Sequence, residues 1–403
     1  MEKKSYISDK MSFQKNKILE YLVKFQGNVS LACKKCNISR DTHYRWLKED
    51  KKYNKKYNDL LSKHFISYEQ KLNQKKISKK TYLQCYKDML IWRKVEEKAS
   101  ALYIQQKIRG FLHLYNGQEA VLAGCCQAID ISKDKMITAY RNHVHPIAMG
   151  VEVKYIIAEL MGKIDGCSKG NGGSMHMFSK KHNFFGGHGI VGGQIPLGAG
   201  IAFADKYKNK NNVTLCFMGD GAIRQGTFHE TLNLAMLWNL PVIFIIENNG
   251  YAMGTSVNRS SNHTELWKLG SGYKMNSKYV DGMNFENVYY AMSELVERCK
   301  NNEGPSLIEI KTYRYKGHSM SDAQTYRSKE EINDYIKIDP ITQILNSIYE
   351  KKLASEKEIE KINNEVKKII DDAVKFAEDS SFPKKEDLYK NVYKQSDYPF
   401  IKN

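Results

Sequence analysis

No apolar stretch in the 403 residues comes near the roughly 20 needed to cross a bilayer; runs such as Pro241 to Ile246 fall far short of it. A membrane-spanning helix is excluded. The start, Met1-Glu2-Lys3-Lys4-Ser5, is basic but has no apolar segment behind it, and its acidic residue and scarcity of arginine are unlike a transit peptide. The expectation is a mature chain that begins at Met1 and stays in the cytoplasm. Cysteine is thin: eight residues, from Cys33 to Cys299, are scattered without a framework spacing and read as reduced, mostly buried thiols. Cys33 and Cys36 invite a zinc reading, but no second Cys or His pair stands at finger distance to complete four ligands. Repeats and long low-complexity tracts are missing as well, which removes solenoids. What remains, 41% hydrophobic and 27% charged, is the composition of a soluble globular chain long enough for two or three domains.

Acidic residues fall short of basic ones, 45 against 63, and the shortage is local. Residues 1–80 hold 21 Lys and Arg against 8 Asp and Glu, a net +13 out of the chain's +18. A coding bias toward lysine would spread more evenly. Within this end, Ile18, Leu19, Leu22 and Val23 make a helical stripe, Gly27-Asn28 breaks it, and Ser30 to Cys36 forms a second short helix. Asn37-Ile38 is a tight turn, and Ser39 caps a third helix, Arg40 to Lys48, with Tyr44 and Leu47 facing inward and Arg40, Thr42, His43 and Arg45 outward. This is helix-turn-helix spacing, similar to units of transposases and phage packaging proteins, and it makes DNA contact by residues 1–60 an alternative role of another class. A basic three-helix appendage that binds nothing is the plainer reading. Residues 61–80 are polar and Lys-rich and read as a linker. A helical pattern from Tyr82 toward Ile108 opens the main domain, 81–403.

Eleven of the 27 glycines fall between Gly166 and Gly200, a density that marks tight turns or close ligand approach. Gly187 to Gly192 matches G-x-G-x-x-G. No clean apolar strand precedes it, however, and Pro196 is expected to interrupt a following helix, so a Rossmann nucleotide site is not expected. Val213 to Met218 and Pro241 to Ile246 read as buried parallel strands joined by a helix over Thr227 to Trp238; Ser306 to Thr312 is a third strand, and helical periodicity returns from Lys329.

The first of these strands ends in Gly219-Asp220-Gly221 and the second in Glu247-Asn248-Asn249. Parallel strands place both ends on one edge, so a carboxylate and an amide oxygen converge there, as a hard cation requires. Asp220, Asn249 and a backbone carbonyl near Tyr251 would leave room for a diphosphate, and the flanking glycines would let N–H groups approach it.

These residues resemble the thiamine diphosphate motif. Phe111 to Ala120, Thr138 to Arg141, Gly172 to His176, Gly189 to Gly192 and Gly317 to Asp322 are similar to the alpha subunits of the 2-oxo acid dehydrogenases, pyruvate dehydrogenase above all, over about residues 81 to 345. The resemblance implies an α/β fold with a parallel sheet flanked by helices, preceded here by a small all-helical segment. It implies thiamine diphosphate and magnesium as cofactors, the metal being held by Asp220, Asn249 and the Tyr251 carbonyl. Tyr140, Arg141, Gly189, Val191, Gly221 and Ala222 match cofactor contacts, with Arg141 as a fork donor to diphosphate. His113 matches a substrate-side histidine and His318 an active-site histidine near the diphosphate, both catalytic.

The implied reaction is oxidative decarboxylation of pyruvate with acetylation of the lipoyl group of a dihydrolipoyl acetyltransferase. A separate beta subunit would supply the glutamate that activates the cofactor, in a heterotetramer. Branched-chain 2-oxo acid or acetoin dehydrogenase alpha subunits share Asp220 and Asn249 and are the alternatives. Ser319, Ser321 and Thr325 match a loop phosphorylated in mitochondrial relatives, but Ala323-Gln324-Thr325 is one residue shorter than that pattern, so an unregulated loop is expected. His143 and His145 read as structural rather than as a metal pair.

Overall fold

The structure, a computed structural model, describes residues 2–24, 33, 35–57 and 77–390. The chain divides into two compact units, Met1–Ser78 and Lys79–Asn403. In the first, α1 spans Glu2–Lys24 and α2 Arg40–Glu49, and residues 51–57 are helical. Nothing ahead of the Ile18 stripe is Gly or Pro, so α1 extends well beyond the stripe toward the N-terminus. Ile18, Leu19 and Leu22 pack with Cys33, Trp46 and Tyr53. Ser39 caps α2, its Oγ accepting the Thr42 N–H at 3.1 Å, after a turn in which Asn37 takes φ +56°.

His43 corrects the expectation of an outward side chain. It is fully buried, with Nδ1 2.9 Å from the Tyr53 hydroxyl and its ring edge-on to Tyr53 and Tyr57. Trp46 and Leu47 set the inner face of α2, and position 43 lies one turn before them; the Tyr53 hydroxyl partners one ring nitrogen and so offsets part of the cost of burying an imidazole. Arg45 is exposed and Leu47 packs on the core. Most of the second expected helix, the side chains of Arg40 and Tyr44, residues 58–60, and residues 61–76 of the expected linker lie outside the described residues.

The second unit opens with α3, Lys79–Ile104, followed by α4, Glu119–Gln127. Six strands follow: β1 Lys135–Ala139, β2 Phe184–His188, β3 Thr214–Gly219, β4 Val242–Asn248, β5 Asn276–Asp281 and β6 Ser306–Lys311. They form one all-parallel sheet in the order β2-β1-β3-β4-β6-β5. Helices joining or flanking them are α5 Val144–Ala148, α6 Val153–Leu160, α7 Gln194–Tyr207, α8 Gly226–Leu237 and α9 Phe285–Lys300. Both central strands are buried along their length, which is why they read as continuous apolar runs. Side chains of β3 and β4 such as Cys216, Met218, Phe244 and Ile246 pack with Ile195, Ala199, Phe228 and Leu232 of α7 and α8.

A strand and a helix do flank Gly187–Gly192, contrary to expectation. Pro196 occupies the first turn of α7, where its missing N–H costs no helical bond. β2 is nevertheless an edge strand, one place removed from the point where the strand order reverses, between β1 and β3.

The C-terminal part carries α10 Lys329–Ile336, α11 Pro340–Glu350 and α12 Glu356–Asp379. Arg93 of α3 ties three elements together: it donates to both oxygens of Glu119 at the start of α4 (2.6 and 2.9 Å) and to Asp339, the N-cap of α11 (2.8 Å). Among the described residues no helix is long and apolar enough to cross a membrane.

Candidate functional site

Ligands of open parallel sheets bind where the strand order reverses, outside the carboxyl ends. In this sheet that point lies between the end of β1, followed by Tyr140 and Arg141, and the end of β3, followed by Asp220. Asp220 is 5% exposed and its Oδ2 has no hydrogen-bond partner. Burial pushes its carboxyl up, opposed by the Lys311 ammonium and the Gly250 and Gly221 N–H groups. Lys311, the last residue of β6, is pushed down by burial, with Asp220 acting against that shift.

On the neighbouring strand end, Asn249 receives the Tyr251 N–H on Oδ1 at 3.2 Å and donates from Nδ2 to Gln118 Oε1 at 3.2 Å. Asn248 turns the other way, donating to Glu309 at 2.6 Å and accepting the Gly250 N–H at 3.0 Å. Gly250 has φ +91°, a left-handed conformation that bends the chain back into the short hairpin Tyr251–Ala252 with Thr255–Ser256. A Cβ at Gly221 would stand 2.5 Å from that of Ala252, so only glycine lets the turn after Asp220 approach the hairpin so closely.

No three His, Cys, Asp or Glu side chains are grouped for a metal among the described residues. A cation here would rely on one carboxylate, an amide oxygen, a carbonyl and oxygens from its ligand. An orphaned, buried carboxylate oxygen beside an amide and a glycine cradle fits a hard cation bound with a diphosphate.

A second part of the candidate site is aromatic. The His113 ring lies 4.7 Å from Tyr140 and 5.1 Å from His318, and Tyr140 and His318 are 5.7 Å apart, centre to centre. Both histidines keep a buried Nδ1 without a partner. Burial, with Arg141 adding to it, pushes His113 down to about 3 and His318 to about 4, so both rings are neutral at pH 7. Arg314 acts on both histidines and on Asp220, placing all three within one electrostatic neighbourhood. Glu247, buried near the end of β4, accepts from the Tyr115 hydroxyl, and burial pushes it up to about 7 against that bond.

The expected residues fare differently. Arg141 is buried and spends its guanidinium on the carbonyls of Leu114 (2.7 Å) and His318 (2.9 Å), holding the two histidine-bearing segments together rather than presenting an open fork. Gly189 and Val191 lie on the turn between β2 and α7, Val191 exposed; in the same turn the Gly192 carbonyl receives the Thr227 hydroxyl at 3.4 Å. Ala222 is buried just after Asp220.

Ser319 and Ser321 bond each other at 2.9 Å, while Asp322 accepts from the backbone N–H of His318 (2.6 Å) and Gln324 (2.8 Å) and shapes that loop. His143 and His145 do not share a site: His143 bonds Glu96 and Ser174, and His145 lies between the rings of Tyr115 and Phe217. Sequence reading missed Lys311, Arg314, Gln118 and Glu247. Lys311 and Glu247 were within reach of it, since each sits near the carboxyl end of a strand that was anticipated.

Comparison with known proteins agrees with this geometry. The family described as dehydrogenase E1 component matches residues 87–386. The chain is 48% identical over 326 residues to the pyruvate dehydrogenase E1 component subunit alpha of Rickettsia bellii, covering 80% of this chain and 99% of that one. It is 46% identical to the same subunit of Rhizobium meliloti (78% and 90% covered), and 40% identical to the chloroplastic subunit alpha-3 of Arabidopsis thaliana (79% and 75%). Fold, strand-end geometry and these matches converge, and the chain belongs to the dehydrogenase E1 component family.

Proposed function

We propose that this chain is the alpha subunit of a pyruvate dehydrogenase that uses thiamine diphosphate and magnesium and acetylates a lipoyl group on a dihydrolipoyl acetyltransferase. The observation that carries the reading is the set of three buried polar atoms without partners, Asp220 Oδ2, His113 Nδ1 and His318 Nδ1, on groups that all feel the Arg314 charge. Asp220, Asn249 and the Tyr251 carbonyl would hold the magnesium. Gly221, Ala222, Tyr140, Gly189 and Val191 would line the cofactor, with Arg141 bracing the segments around it. Bound thiamine diphosphate supplies the nucleophilic carbon and the electron sink for decarboxylation. This chain's part is to exclude water, fix the diphosphate end, and set His113 and His318 beside the reacting 2-oxo acid as proton-carrying rings.

A beta subunit is the proposed partner. Phe203 and Tyr207 of α7, Leu237 of α8 and Trp238 just after it are exposed; the Phe203 ring stacks on Tyr207 and lies 5.3 Å from Trp238, while Ile190 and Val191 are exposed nearby in sequence. Such a run of exposed apolar side chains calls for a covering protein. The test is pyruvate decarboxylation by this chain with and without a beta subunit, followed by competition of pyruvate against 2-oxoisovalerate and acetoin. Full turnover by the chain alone, or preference for a competitor, overturns the reading.

A second role for residues 1–60 is favoured by charge. Arg45, Lys48, Lys51, Lys52 and Lys55 are exposed in a unit where Asp50 is already paired with Lys15 at 2.7 Å. Duplex DNA is the partner that such a surface fits. The full chain should bind a mixed-sequence duplex with an affinity that falls steeply with salt, and Arg45→Glu with Lys48→Glu should weaken it. Absence of binding, or affinity unmoved by charge reversal, removes the role.

A further inference from the structure

Glu96, His143 and Ser174 form a buried chain to which the reaction assigns no work. Glu96 Oε2 lies 2.8 Å from His143 Nδ1, and His143 Nε2 lies 2.7 Å from Ser174 Oγ. Exposure is 1%, 0% and 8% respectively. Both ends grip the same short segment: Ser174 Oγ accepts the His113 N–H at 3.4 Å, and Glu96 Oε1 accepts the Tyr115 N–H at 3.0 Å. Arg141 holds the Leu114 carbonyl between them at 2.7 Å. Residues 111–115 belong to no helix or strand, so these buried peptide groups depend on side chains for their hydrogen bonds.

One ordering of protons satisfies every group. His143 Nδ1–H donates to Glu96, Nε2 accepts the Ser174 O–H, and the Ser174 oxygen accepts from His113. Ser174 donates to His143 as the serine of a hydrolase triad does, but its oxygen is buried and also accepts the His113 N–H, so it has no open face for attack. We infer that Glu96, His143 and Ser174 are positioning residues whose hydrogen-bonded chain fixes the backbone at 113 so that the His113 ring meets His318 and Tyr140. The inference rests on the reading of His113 as a substrate-side residue.

The test uses the chain assembled with a beta subunit, thiamine diphosphate and magnesium. Ser174→Ala should lower kcat about 10- to 100-fold with KM for pyruvate nearly unchanged, the scale of a misplaced catalytic group. Ser174→Thr should restore most of the rate. In a His113→Ala background Ser174→Ala should cost nothing further, because it acts through that ring. Losses that multiply, or a Ser174→Ala enzyme at full rate, overturn the relay while leaving His113 in place. A His113→Ala enzyme at full rate overturns the reading of His113 and the relay with it. If Ser174→Ala does not assemble, Glu96→Gln, which keeps the side-chain shape, enters the same cycle with the same criteria.

Discussion

At the scale of single residues, Asp220 carries a tension that its ligand relieves. A buried carboxylate oxygen without a partner is destabilising, and the Lys311 charge offsets this only in part. Asp220→Asn should leave the metal-free chain at least as resistant to heat as the parent while abolishing the rise in thermal midpoint produced by magnesium and thiamine diphosphate. A retained rise would remove Asp220 from the metal site.

The two histidines make a second prediction. Their rings are held at about 3 and about 4, so as pH falls below the ordinary imidazole value the unfolded chain takes up protons that the folded chain refuses, and stability declines. An anion bound beside them favours the charged form and raises both values. Titration of the ring protons by NMR, with and without the cofactor pair, should show that upward movement; identical curves would place the diphosphate elsewhere.

At the scale of elements, Arg93 is the tie that sets α3 against the first turns of α4 and α11. Its partners Glu119 and Asp339 are almost wholly buried, so Arg93→Met leaves two carboxylates uncompensated and should cost roughly 3–5 kcal/mol in urea unfolding. A loss below about 1 kcal/mol, the range of an exposed pair, would contradict it.

Elements differ in how plainly their residues announce them. β3, β4 and β6 are apolar because both of their faces are covered, so their positions, and with them Asp220 and Asn249 at two of the ends, could be read directly. β1, β2 and β5 carry Lys, Gly, His and Asn, and two of them lie at the sheet edges where one side is open; nothing local distinguishes them from loops. Gln118 and Arg314 reach the site only through tertiary contact, which no spacing encodes. His43 misled because a tyrosine ten residues away supplies its partner.

For the molecule as a whole, the division at Ser78 separates most of the positive charge from the sheet and its site. Every residue placed in the candidate site lies beyond that division, and the family match begins at residue 87. Removal of residues 1–78 should therefore leave pyruvate decarboxylation by the assembled enzyme within about twofold of the parent, since no residue assigned to the site is removed and the second unit keeps its own internal contacts. A well-assembled truncated enzyme without activity would show that the first unit serves the reaction.

The all-parallel ladder also governs how the molecule is made. Parallel neighbours cannot be joined by tight hairpins, so each pairing waits for a long crossover to close, and β4 waits until about residue 306 has been synthesised before β6 can reach it. On the ribosome β4 therefore spends many seconds with one edge bare, open to other nascent copies. Supplying a chaperone that covers this edge during expression is the remedy this topology asks for.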